Sequence, residues 1–141
     1  MQSFSRILNE VLAKLVFYNY FKIIHNFYHH SIMSIIVTDN AFKRVAELIV
    51  LENAPSALRI TVDGGGCSGF IYNYTFISLS DVESDDYIVE KDGTKIIFDS
   101  ISKQFMLGCI VDFVEELGSS YFAIKNPNAK TKCGCGNSFS V

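Results

Sequence analysis

The 141 residues contain no run of 18 or more consecutive apolar side chains, so a membrane-spanning helix is not expected. Nor is there a strong excess of one charge: 12 Lys and Arg stand against 15 Asp and Glu, a formal charge of −3. A sequence-independent grip on nucleic acid needs clustered cations to displace counterions, and the mild acidity argues against it. No secretory signal is expected, because the apolar stretch from Val11 to Ile24 is broken by Lys14 and Lys22 and ends in bulky residues. Histidine is absent after His30, and cysteine is scarce, at four residues. Few, unevenly spaced cysteines outside an oxidising compartment read as metal-binding, catalytic or inert rather than as a disulfide framework. What remains is an ordinary globular composition, 49% hydrophobic, in a chain that suits one domain and can bury about two-thirds of its unfolded surface.

Residues 1–32 differ from the rest. They hold all three histidines (His25, His29, His30), seven aromatics and a local charge of +2, leaving −5 for the remainder. Phe4, Leu8, Val11, Leu12 and Leu15 share one helical face, the pattern of an amphipathic helix. His29-His30 beside aromatics admits a metal or haem site, but a sticky extension with incidental histidines is the plainer reading. Met33, followed by Ser34-Ile35-Ile36-Val37-Thr38-Asp39, is a natural start for a compact domain. The chain therefore divides into an extension over 1–32, whether a real segment or the product of an upstream start, and a domain over 33–141.

Within 33–141, Thr38 or Asp39 can cap a helix running to about Glu52, since a side-chain oxygen there accepts from the unpaired amides of the first turn. Phe42, Val45, Ala46 and Ile49 recur at helical spacing, and Asn53-Ala54-Pro55 ends the element. Leu58–Asp63 and Phe70–Phe76 alternate like half-buried strands. Asp92-Gly93 between Tyr87–Val89 and Lys95–Phe98 predicts a hairpin. A short helix over Ser100–Leu107 should end at Gly108, with strands near Ile110–Val114 and Tyr121–Lys125. Many short strands, few helices and no strand–helix alternation define an α+β fold, mostly β.

Glycine gathers around sulfur twice, at Gly64-Gly65-Gly66-Cys67-Ser68-Gly69 and at Cys133-Gly134-Cys135-Gly136. Glycine lets the backbone crowd a bulky ligand, and consecutive amides in such a turn favour anions such as thiolate or sulfide. The first segment lacks the Lys-Ser/Thr of a phosphate-binding loop, which leaves a tight strand connection with a buried cysteine as its main rival reading. The second is more specific, since residues two apart on a strand point to one face and the glycine lets both thiols swing onto one centre. Zinc and iron–sulfur sites both usually take four protein ligands, and Cys67, Cys133 and Cys135 are one short. Two protomers sharing one centre remove the deficit. Cys109, between Gly108 and Ile110-Val111, reads as a small core residue.

Gly-Gly-Cys67-Ser-Gly-Phe-Ile-Tyr, the Ile110-Val-Asp112-Phe segment, and Asn126-Pro127-Asn128-Ala129 leading to Cys133-Gly-Cys135-Gly-Asn-Ser138-Phe139 resemble the A-type iron–sulfur cluster carriers, the HesB/IscA family. The run from Ile124 to the end is most similar to its cluster insertion (ErpA-type) subgroup. The resemblance implies a compact HesB-like domain of short strands with one longer N-terminal helix and one short helix. It implies a self-associating protein, a dimer in the first instance, that takes a [2Fe–2S] or [4Fe–4S] cluster from a scaffold and passes it to apoproteins. Cys67, Cys133 and Cys135 match the family's three ligand cysteines, and Asp112 matches a characteristic acid whose plainest role is that of a solvated or hydrogen-bonded strand residue. The implied setting is the bacterial cytoplasm, or the mitochondrial matrix in a eukaryote.

The expected activity is transfer rather than catalysis: Cys67 as the firm anchor on a strand turn, Cys133 and Cys135 on a glycine-hinged tail that opens toward an acceptor. Three other readings use the same residues. A mononuclear iron donor would carry no acid-labile sulfide. A thiol oxidoreductase would want a CxxC rather than Cys-Gly-Cys. A structural zinc domain would unfold on chelation.

Overall fold

A computed structural model describes residues 34–65, 69–132 and 137–141. The amphipathic face of residues 4–15, the three histidines, the start at Met33 and the cysteines Cys67, Cys133 and Cys135 lie outside the described residues.

The chain enters through a two-residue strand, β1 (Ile36–Val37), and turns into helix α1 (Asp39–Leu51). Thr38 is its cap: the backbone there is extended, and the side-chain oxygen accepts from the Ala41 amide. Ala41, Phe42 and Val45 are buried, while Lys43 and Glu47 stay exposed, so the helix lays one apolar stripe on the core as its spacing predicts. Strands β2 (Ser56–Gly64) and β3 (Phe70–Ser78) pair antiparallel over their full length, from Ser56 opposite Ser78 to Gly64 opposite Phe70. A single 3-10 turn (Leu79–Asp81) leads to the hairpin of β4 (Tyr87–Lys91) and β5 (Thr94–Phe98). Its turn residues Asp92 and Gly93 both have positive φ, +51° and +80°, the conformation that an Asp-Gly pair in a two-residue hairpin provides.

Helix α2 (Ser100–Met106) follows, and Gly108 leaves it with φ +77°, the left-handed exit that glycine takes without strain. Strands β6 (Ile110–Glu116) and β7 (Ser119–Lys125) form a second hairpin; β8 (Thr131–Lys132) and β9 (Ser138–Ser140) are short and lie last. Two sheets result among the described residues, ordered β1-β6-β7 and β4-β5-β2-β3-β9-β8. Two pairings, β1 with β6 and β2 with β5, are parallel, and the others are antiparallel. This is the mostly-β α+β fold that the sequence predicts.

The core lies between the sheets and α1: Ile35, Phe42, Val45, Leu58, Ile60, Ile96, Phe98, Met106, Val111, Ile124 and Phe139 all belong to one buried cluster. Cys109 belongs to it too, fully buried as its apolar neighbours predict. One expectation needs amendment. Alternation marks β2 as half-buried, yet Ala57 and Ile97, on the face opposite Leu58 and Ile60, are also inaccessible to solvent. Arg59 on that face donates to Asp86 and to the Asp81 carbonyl, and the Leu79 amide bonds the Pro55 carbonyl; together these draw the 79–86 segment against β2.

Candidate metal centre

The three cysteines singled out by the sequence lie outside the described residues, so the site is defined by what holds the segments that carry them. The Cys67 segment joins β2 to β3. Its base is closed by a hydrogen bond of 2.8 Å from the Gly65 amide to the Gly69 carbonyl. Both glycines have positive φ, +136° and +109°, a backbone that other residues adopt only at a cost. The β2 side is braced from α2: the buried Ser102 hydroxyl accepts from the Val62 amide at 2.8 Å, just where β5 has ended and can no longer serve β2.

The Cys133–Cys135 segment joins β8 to β9, and both strands are anchored. β8 pairs with β9 (Thr131 opposite Ser140, Lys132 opposite Phe139), and β9 pairs with β3 (Phe70 opposite Phe139, Ile71 opposite Ser138). Phe139 is 1% exposed; its ring stacks on Tyr72 at 4.6 Å and on Phe70 at 5.5 Å. The expectation of a hinged tail is therefore corrected. The residues beyond the cysteine pair form a buried, paired strand, because Phe139 gains more from burial between Phe70 and Tyr72 than a loose terminus would retain in freedom.

The β3–β9 pairing is the element that joins the two segments. Phe70, three residues after Cys67, lies beside Phe139, four residues after Cys135. The chain before β9 runs along β3 away from Gly69, since the Asn137 carbonyl accepts from the Tyr72 amide at 2.9 Å. Sequence reasoning did not single out what fixes this arrangement. Asn126, 4% exposed, donates through Nδ2 to the Tyr72 hydroxyl (3.0 Å) and the Phe105 carbonyl (3.1 Å), and accepts through Oδ1 from the Asn128 amide (2.8 Å). Asn128 in turn donates to the Leu107 carbonyl at 3.0 Å. Burial pushes the Tyr72 phenol up to about 12, with the Asn126 bond pulling partly the other way, so it stays neutral at physiological pH. The signal for this cluster was the Asn-Pro-Asn run itself, a polar turn with two amide side chains ahead of the cysteine pair.

Asp112 is a hydrogen-bonded strand residue. Its Oδ1 accepts from the Thr38 hydroxyl at 2.5 Å and from the Phe113 amide at 2.9 Å, tying β6 to the cap of α1. Among the described residues no three His, Cys, Asp or Glu side chains converge as a metal site. A cleft between α1 and β6, lined by Asn40, Lys43, Arg44, Glu47, Phe113 and Glu115, contains no thiol or imidazole.

Fold and site together define a small mixed-sheet protein in which two glycine-flanked cysteine segments flank one strand junction. Residues 33–137 match the iron-sulphur cluster biosynthesis family, and the chain belongs to that family, the HesB/IscA proteins whose resemblance its motifs carry. It is 57% identical over 110 residues to an uncharacterized protein of Rickettsia prowazekii, covering 77% of this chain and all of that one. It is 53% identical over 108 residues to the iron-sulfur cluster insertion protein ErpA of Hahella chejuensis, covering 76% of this chain and 91% of the relative. Among solved structures it is similar to IscA with the [2Fe-2S] cluster (TM-score 0.62, 26% identity, 77% of this chain and 97% of that one). Escherichia coli SufA, involved in biosynthesis of iron-sulfur clusters, aligns with TM-score 0.60 and 34% identity over 77% of this chain and 93% of its own. A general role in iron–sulfur cluster biosynthesis follows from membership. No described helix is long and apolar enough to cross a membrane.

Proposed function

We propose that this protein carries an iron–sulfur cluster on the thiolates of Cys67, Cys133 and Cys135, shared between two subunits, and delivers it to apoproteins in the cytoplasm. The observation that carries this reading is the β3–β9 junction, which brings the flanks of both cysteine segments side by side. Three strand steps from Gly69 to Tyr72 and one interstrand spacing put Gly69 and Asn137 roughly 11 Å apart. Cys67 and Cys135 each lie two residues further on, and two residues of chain reach up to about 7 Å. The arms together exceed the gap, so covalent reach allows the thiols to meet.

The described flanks, Gly69 before Phe70 and Asn137 beside Tyr72, lie on opposite sides of the Phe70–Phe139 pair, which favours a cluster held across a second copy. Two Cys133/Cys135 pairs then supply the four thiolates a cluster takes, with Cys67 from each chain in reserve. A free thiol titrates near 8.5, so loading releases protons and weakens as pH falls. Transfer is thiolate exchange: each acceptor thiol bonds iron as its proton leaves to solvent, and each released carrier thiolate takes one up, with no net oxidation. The carrier unit spans 33–141, as the family match supports, with 1–32 outside it. A cluster scaffold stands upstream and apo iron–sulfur proteins downstream, and no substrate is chemically converted.

Anaerobic reconstitution of the parent protein, Cys133→Ser and Cys135→Ser tests the reading by visible absorbance and iron and sulfide content. Each substitution should abolish stable cluster, and unchanged content would refute the assignment. Iron without acid-labile sulfide in the parent would instead identify a mononuclear iron donor.

A further inference from the structure

We infer that Asn126 is a positioning residue: through Tyr72 at one end and the Asn128 amide at the other, it fixes where the two ends of the cysteine-pair segment lie relative to β3. The inference rests on the carrier reading. Three bonds or contacts from Tyr72 bear on that segment. Its amide holds the Asn137 carbonyl at 2.9 Å, its ring stacks on Phe139 at 4.6 Å, and its hydroxyl accepts from Asn126. Asn126 governs the other end, because it lies at the exit of β7 and shapes the turn into β8 through its bond to the Asn128 amide. Its remaining donor bond goes to the Phe105 carbonyl in α2, and the Phe105 ring packs 5.0 Å from Phe70, at the exit of the Cys67 segment.

The two amide hydrogens and the carbonyl oxygen of one buried side chain are thus spent on β3, on α2 and on the turn that leads into β8. A core-filling role does not require this. An apolar side chain of similar volume would fill the space, whereas only a planar amide donates twice and accepts once in that fork. Buried amides with each group engaged fix relative orientation, since any slip leaves a desolvated polar group unpaired.

The test uses thiol proximity in the full-length apoprotein rather than cluster function. Dibromobimane cross-linking of Cys67 to Cys135 is followed in a Cys133→Ser background, with near-UV circular dichroism to confirm folding and denaturing gels to separate links within one chain from links between two. Asn126→Ala should slow cross-linking about tenfold, the order expected when a well-oriented pair loses its alignment. Tyr72→Phe removes only the hydroxyl and keeps the ring stack; it should slow the reaction in the same direction. The double variant should be no slower than Asn126→Ala, because both changes cut the same link. If Asn126→Ala fails to fold, Tyr72→Phe alone decides. Unchanged cross-linking in a folded variant, or additive effects in the double variant, would overturn the positioning role and leave the carrier reading standing. A parent protein that forms no such link would overturn the positioning role, while the cluster content of the parent after reconstitution judges the carrier reading separately.

Discussion

Thr38 does two things with one oxygen. Its Oγ1 accepts from the Ala41 amide at 3.3 Å as the cap of α1, and its hydroxyl hydrogen goes to Asp112 at 2.5 Å. The backbone of the same residue donates to the Val111 carbonyl, so the start of the helix is fixed to β6 by main chain and side chain alike. A family-characteristic acid thereby receives a structural role that needs no cluster. Thr38→Val removes the cap and leaves a half-buried carboxylate without its hydroxyl partner, at a cost of about 1–3 kcal/mol. Urea unfolding of the apoprotein measures it, and cluster content per folded chain should not change. A midpoint equal to that of the parent would dissociate Asp112 from stability.

At the scale of elements, α2 matters more than its seven residues suggest. Asp99 caps it by accepting from the Ile101 and Ser102 amides, and Ser102 in turn braces β2. Burial raises the Asp99 carboxyl, but bonds from the Ser102 hydroxyl and the two amides outweigh it, leaving it below its ordinary 3.8. A carboxylate depressed in the folded state stabilises fully above its unfolded value and loses that contribution as pH falls through the lower, folded one. Acid unfolding should therefore show Asp99 as one of the groups taking up protons below about pH 4, where carboxyls titrate. Asp99→Asn should lower stability at neutral pH and narrow the difference from the parent in acid; a constant difference at every pH would contradict this. The cap of α1, the glycine exit of α2 and the Asp-Gly hairpin were legible in the sequence, because each depends on residues within a few positions of one another. The parallel pairing of β2 with β5 was not, since it joins Leu58 to Ile96 across an intervening strand pair that could have stacked on either side.

For the whole molecule, the buried cluster among the described residues draws on α1, both sheets and α2. A domain of this size buries enough surface to fold without a metal staple. Apoprotein prepared with a strong chelator should unfold cooperatively, with the far-UV circular dichroism of the loaded form. Collapse of structure on chelation would mark the metal as structural and favour a zinc domain over a carrier, which must stand folded to receive its cargo.

Local chemistry was decided by the sequence alone: helix caps, turn glycines, strand alternation, the burial of Cys109 and the two glycine-flanked sulfur segments. These rest on short-range sterics and hydrogen bonding, or on composition that a window of a few residues displays. Tertiary structure decided which strands meet. It seated Phe139 between Phe70 and Tyr72, turned the expected loose tail into a paired strand, and recruited Asn126 from a surface-like Asn-Pro-Asn turn into a buried fork. Such choices depend on matching apolar area and hydrogen-bond partners between segments more than fifty residues apart, information that no local window of the chain contains.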